Sequence, residues 1–170
     1  MRKHASAQAT ISANAHKTLL NDVYQRRHIE ACGMLTGSID DCGNWHVEQV
    51  HPLRNTSDSP IYFEFAPEDL LAVDLDYPGQ VVGVYHSHPT GMAVASGTDR
   101  GNMRRINVEQ QIPWVWLIVS GPFNGVCALS PSEQVASPPI IAYHHYEDEG
   151  LRQITIAFED TTKETPRDTE

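Results

Sequence analysis

His86 and His88 stand two residues apart at the end of an apolar run, Val81–Tyr85. Asp99 follows after ten further residues, with Ser96 three positions ahead of it. On a strand, side chains two apart point to the same face, so both imidazoles can reach one ion. The intervening loop is long enough to fold the Asp99 carboxylate back beside them. Two histidines and one carboxylate, with a fourth position open to water, form a catalytic zinc arrangement, whereas structural zinc sites are closed by four protein ligands. The ligand count itself points to hydrolysis. Random placement of these residue types would give about 0.03 copies of this histidine–histidine–aspartate spacing. A serine at the required position makes coincidence rarer still.

A hydrolytic centre also needs a base. Glu30 lies just ahead of the short apolar run Ala31–Thr36, at a junction where a carboxylate can face a cleft. A partly buried acid there can take a proton from water and return it to a leaving nitrogen. Its plain alternative is a solvated acid at a helix end. Other residues carry less. Cys32 reads as a small core residue. Ser87 faces away from the two histidines and reads as backbone support. His144 and His145 are adjacent, face opposite sides of a strand and cannot readily share an ion. Trp114 and Trp116 share a strand face as core or groove wall. Asn55 reads as a turn residue before it reads as a substrate contact. Phe65, Met92 and Trp116 are candidate walls for a substrate groove, and Arg100, Arg104 and Arg105 a candidate basic patch.

The elements that must position these groups alternate between helix and strand. Ser12 or Asn14 caps a helix running to about Arg27, with Leu19, Leu20 and Val23 on its inner face. Ala31–Thr36 is a buried strand stopped by Gly37, and Trp45–Val50 alternates as a strand after the turn-like Asp40–Asn44. Arg54–Pro60 is a loop and Tyr62–Phe65 is extended. Pro67 opens a short helix whose first turn carries Glu68 and Asp69, where acids suit the N-terminus. Val81–Tyr85 is a strand, and a helix runs from Ser96–Asp99 through Arg105. Trp114–Val119, Val126–Leu129, Ile140–Tyr146 and Leu151–Phe158 supply further strands. The expected class is α/β or α+β, a mixed sheet flanked by helices.

The chain has 170 residues, 40% hydrophobic and 20% charged. That is one globular domain, able to bury about 68–70% of its unfolded surface. The division expected is a domain over 1–158 and an acidic, disordered tail over 159–170. The segment Glu147–Glu170 holds half of the net charge of −10. That charge and the pI of about 5.2 argue against nucleic acid as a partner and disfavour anionic membranes. No run has the length of a membrane span. The first residues carry two cations but no apolar signal-peptide core. The three cysteines form no C-x-x-C pair and fit a reducing cytosol, so the expected location is cytoplasmic.

The run Glu30-Ala-Cys-Gly-Met-Leu-Thr-Gly37, with His86-Ser-His-Pro89, Ser96 and Asp99, resembles the JAMM (MPN+) metalloproteases. Their signature is a distant glutamate, then H-x-H, seven residues, serine, two residues, aspartate, and this chain matches at each of these positions. A weaker likeness runs from about residue 8 to 146, through the Asn55 loop, the Phe65-Ala-Pro67 segment and the strand ending in Val119-Ser-Gly121. It is most similar to the compact bacterial members. The resemblance implies a fold similar to cytidine deaminase and one Zn2+ per chain on His86, His88 and Asp99, with water as fourth ligand. It implies Glu30 as general acid/base and Ser96 as the group stabilising the tetrahedral oxyanion. It also implies a substrate class: ubiquitin-like sulfur-carrier proteins, cut after a C-terminal Gly-Gly to release an amino acid or short tail. A homodimer is left open. The competing expectations are a phage-tail or cell-wall peptidase and a catalytically inactive MPN-type scaffold. The intact set of five site residues argues against the scaffold.

Overall fold

The computed structural model describes residues 7–92, 94–124 and 137–160. Among them the elements are strand β1 (Gln8–Ile11), helix α1 (Ala13–Gln25), strands β2 (Cys32–Ile39) and β3 (Trp45–Leu53), helix α2 (Pro67–Asp76), strand β4 (Val81–His88), helix α3 (Gly97–Arg104), a π-helical turn (Arg105–Glu109), and strands β5 (Val115–Ser120), β6 (Ile140–Tyr146) and β7 (Gly150–Phe158). The expected strand Val126–Leu129 and most of the acidic tail lie outside the described residues.

The mixed sheet expected from the sequence closes on itself in the order β1-β3-β2-β4-β5-β6-β7. The closing piece is β1, which pairs in parallel with both β3 and β7. Its sequence gives little sign of it. Its four residues, Gln-Ala-Thr-Ile, alternate half-buried and buried, but four residues are too few for a period to stand out. The chain then turns straight into α1, where Ser12 caps the helix by accepting from the Ala15 N–H at 3.1 Å. Such a cap contributes about 1 kcal/mol.

Strand alternation divides the core in two. On one face, Leu35, Tyr85, Leu117 and Val119 pack with Leu19 and Val23 of α1. On the other, Met34, Val84, Trp116 and Ile118 pack with Val73 of α2 and Met103 of α3. His86 and His88 continue the parity of Val84, so β4 presents them toward α3. Strand β4 is three residues longer than its apolar run suggests, because β2 and β5 pair along it as far as His86 and His88 respectively. The ligands therefore stand on a central strand with neighbours on both sides.

Beneath this junction lies a buried polar knot that the sequence did not announce. Tyr85 donates its hydroxyl to Asp22 at 2.6 Å. Arg26 holds the same carboxylate through two bonds of 2.7 Å and donates to the carbonyls of Leu53 and Cys32 at 2.6 and 2.8 Å. It ties the end of α1 to the start of β2, two residues beyond Glu30. Burial pushes the Tyr85 hydroxyl well above its ordinary pKa, and the Asp22 charge adds to that. The phenol therefore stays a donor.

The close approach of β4 to β5 depends on Gly83. A Cβ there would run into the Val115 carbonyl oxygen. Gly83→Ala is expected to cost about 1–3 kcal/mol through overpacking. A thermal melt should show this as a fall in Tm of several degrees. A variant that melts with the wild type would mean that these strands do not approach so closely.

Candidate metal centre

Strand β4 delivers His86 and His88, and the first turn of α3 delivers Asp99. The helix begins with a capping box: Ser96 Oγ accepts from the Asp99 N–H at 3.1 Å, and the Ser96 N–H donates to Asp99 Oδ2 at 2.9 Å. That reciprocal pair satisfies two orphan donors of the helix start. It also fixes the rotamer that turns Asp99 inward.

Three side chains converge, each able to offer one ligand atom. His86 Nε2 and His88 Nε2 are 3.1 Å apart. His86 Nε2 lies 3.1 Å from Asp99 Oδ1, and His88 Nε2 lies 3.1 Å from Asp99 Oδ2. Zinc bonds of 2.0–2.1 Å in tetrahedral geometry would set ligands about 3.3 Å apart. The chemistry of the donors agrees with the spacing. His88 Nδ1 lies 2.9 Å from the Met92 carbonyl, which can only accept, so Nδ1 carries the proton and the Nε2 lone pair faces the centre. His86 has no such partner at Nδ1 among the described residues. Its ring is held instead by Phe63, stacked at 4.5 Å. All three residues are buried and can together hold a metal ion.

Burial opposes ionisation of Asp99, but its contacts with His86 and His88 outweigh this and hold the carboxyl well below the usual carboxylate range. Burial also opposes a charge on His88, yet its contacts with Asp99, the Met92 carbonyl and Glu30 raise its pKa. His86 is lowered by burial. Glu30 is 6% exposed, with Oε1 at 4.0 Å from His88 Nε2. It faces the centre without joining the ring of donors. Burial pushes its carboxyl up to about 7, with the His88 charge opposing and the Asp99 charge adding to the rise. A carboxyl tuned near neutrality is suited to moving protons in either direction.

The five candidate ligand and catalytic residues named from the sequence lie together: Glu30, His86, His88, Ser96 and Asp99. Ser87 accepts from the Ala31 N–H at 2.8 Å, the backbone support expected of it. Cys32 is buried, and burial pushes its thiol up to about 12, which suits a core residue. Phe65 and Trp116 do line a hollow beside the centre. It has a volume of about 340 Å³, and Tyr62, Phe63, Asn102 and Arg105 also contribute to it. Met92 does not line it; its carbonyl orients His88 instead. The basic patch reduces to Arg105, because Arg104 pairs with Glu109 and Arg100 turns back to the Ala95 carbonyl. Against Glu30 and Asp99 themselves is a tighter pocket of about 20 Å³, walled by Ile61, Tyr62, Phe63, Ser96, Thr98 and Asn102. The role of Phe63 was not legible in sequence, since nothing in its spacing relates it to His86.

The sequence profile of prokaryotic homologs of the JAB domain matches residues 5–130. Among curated relatives, a desampylase of Pyrococcus furiosus is 35% identical over 96 residues, covering 54% of this chain and 60% of that protein. A desampylase of Haloferax volcanii is 30% identical over 103 residues, covering 56% and 72%. The tail tip assembly protein K of phage lambda is 36% identical over a shorter stretch of 59 residues, covering 35% and 26%. The chain thus spans less than two thirds of the Pyrococcus relative. Two solution structures share the fold: a Desulfitobacterium hafniense protein (TM-score 0.66, 24% identical, covering 90% of this chain and 94% of that one) and a Salinibacter ruber protein (TM-score 0.58, 22% identical, covering 90% and 93%).

Proposed function

Because the chain belongs to the prokaryotic homologs of the JAB domain, we propose that it is a zinc-dependent peptidase or isopeptidase. Its substrate in this reading is a small ubiquitin-like sulfur-carrier protein, cut after its C-terminal Gly-Gly. The observation that carries the reading is the convergence of two imidazole Nε2 atoms and the Asp99 carboxylate, with Glu30 alongside but outside the group. The name desampylase, borne by two relatives, supports removal of a modifier. The name tail tip assembly protein, borne by the phage relative over a shorter stretch, favours a second reading as a tail-associated protein.

His86, His88 and Asp99 would hold the ion. Bound zinc would supply a Lewis acid for the scissile carbonyl and make water easier to deprotonate. Glu30 Oε1 takes a proton from the attacking water and passes it to the leaving nitrogen. The Ser96 hydroxyl uses a lone pair for the Asp99 N–H, and its own proton remains available to donate to the developing oxyanion. Tyr62 and Phe63 wall the approach and narrow it. The 340 Å³ hollow shares those two residues and Asn102 with the tight pocket, so a tail can run on from one to the other.

The test is cleavage of linear fusions of small ubiquitin-like proteins ending Gly-Gly-X, followed by mass spectrometry, with metal content measured on the same preparation. Cutting after the second glycine, abolished by a chelator and restored by zinc, is expected. A folded protein that binds no zinc and cuts nothing would be the inactive scaffold.

Ser96→Ala is expected to lower kcat by ~10²–10³, as loss of an oxyanion donor does, with a smaller effect on KM. It also removes the α3 cap, which costs about 1 kcal/mol. Metal analysis separates the two effects, since a variant short of zinc would show that Ser96 acts by placing Asp99.

A further inference from the structure

Asn55 is buried in the loop between β3 and α2, and its side-chain amide is fully engaged. Nδ2 donates to the Glu30 carbonyl at 3.1 Å and to the Tyr62 carbonyl at 2.9 Å. Oδ1 accepts from the N–H groups of Ser57 at 3.0 Å and Glu64 at 3.2 Å. The Glu30 N–H meanwhile donates to the Ser59 carbonyl at 2.8 Å. Both main-chain polar groups of Glu30 therefore end on this one loop. The same loop lays Phe63 over His86 at 4.5 Å and sets Tyr62 and Phe63 against the tight pocket.

Closing the loop does not by itself require this arrangement. Thr56 already closes it, donating to the Glu64 carbonyl through its N–H at 2.9 Å and through its hydroxyl at 3.1 Å. Neither bond touches Glu30. What Asn55 adds is a rigid link between the main chain carrying the base and the wall along which a substrate passes. Glu30 has a flexible side chain, and its carboxyl can be aimed only if its Cα is fixed.

We propose that Asn55 is a positioning residue that locks Glu30 and the Tyr62–Phe63 wall into one unit, so that the wall and the base keep a single spacing. This rests on the reading of Glu30 as the base. Misplacement of a reacting group by about 1 Å can cost ~10²-fold in rate.

The test compares four variants with the wild type on a Gly-Gly fusion. Asn55→Asp is nearly isosteric, keeps both acceptor contacts and loses both donations. It is expected to lose ~10²-fold in kcat with KM nearly unchanged and with zinc content unaltered. Its backbone amides at Glu30 and across 56–64 should lose hydrogen-exchange protection together, in the metal-free as in the loaded protein. Thr56→Val, which breaks a bond of the same loop away from Glu30, should keep wild-type kcat. The double variant Glu30→Gln/Asn55→Asp should be no slower than Glu30→Gln alone, because the two act through one group. Wild-type kcat in Asn55→Asp, an equal loss in Thr56→Val, or additive losses in the double variant would each overturn the proposal while leaving Glu30 as base. Turnover retained in Glu30→Gln would overturn the base reading and this proposal with it. If Asn55→Asp does not fold, Asn55→Gln decides. A lowered kcat with full zinc supports the link, and an unchanged kcat overturns it.

Discussion

Glu30→Gln is expected to bind zinc as the wild type does and to cleave ~10²–10⁴-fold more slowly, the range that general acid–base groups contribute. The amide matches the carboxylate in shape, and the main chain of Glu30 is held at both its N–H and its carbonyl. The side chain should therefore stay in place. What it loses is the ability to accept a proton at Oε1. The glutamine also removes a buried acid whose ionisation burial disfavours, so the melting temperature should not fall. His88→Ala is the contrast. It removes one of three ligand side chains, and both metal and activity should go, because two remaining ligands hold an ion poorly. Metal analysis with single-turnover cleavage distinguishes the pair. Near-normal turnover in Glu30→Gln would remove Glu30 from the reaction.

The candidate metal ligands could be read from the sequence because their constraint is local. A strand period of two puts His86 beside His88, and a helix start fixes Asp99 within a turn of Ser96. Both relations are written in residue spacing. Glu30 was harder. It sits 56 residues before His86, and the contact exists because β2 pairs with β4 in a register that sets Cys32 opposite His86. No periodicity within either strand specifies that register. The family signature supplied the link, and the pairing supplies its physical cause. Asn55 is the turn residue expected, accepting from the Ser57 N–H, but its bonds to Glu30 and Tyr62, like the place of Phe63, were out of reach for a related reason. A loop asparagine that caps a turn and one that spans two carbonyls on different segments have the same sequence environment. Asn107 makes the same point. It lies in the π-helical turn after α3, where Nδ2 donates to the carbonyls of Ile112 and Trp114 while Oδ1 accepts from the Trp116 indole and the His145 N–H. The closure of the sheet was missed because β1 is too short for its alternation to register.

Changing either glycine of a carrier's Gly-Gly to valine is expected to abolish cutting, a loss of at least ~10²-fold. The argument is steric. To bring its carbonyl to the centre, a peptide must pass the pocket walled by Ile61, Tyr62, Phe63, Ser96, Thr98 and Asn102, whose volume is about 20 Å³. It is the tighter of the two hollows, and a branched side chain adds bulk there that glycine does not. The wall is held at two points. Phe63 is stacked on His86, and Tyr62 is held through its carbonyl by Asn55. Two residues without a Cβ pass such a constriction, and a wall that rejects bulk selects by clash rather than by attraction. The hollow beyond it is far larger, at about 340 Å³ with Phe65, Leu70, Trp114 and Trp116 among its walls. Valine in place of the residue before the two glycines should therefore be tolerated, which separates a narrow gate from a general loss of docking. The measurement is mass spectrometry of carrier fusions incubated with zinc-loaded protein, comparing Gly-Gly, Val-Gly, Gly-Val and Val-Val junctions with an unstructured casein-like chain. Equal rates at Gly-Gly and Val-Val, or equally fast cutting of the unstructured chain, would show that the walls beside Glu30 do not select the substrate.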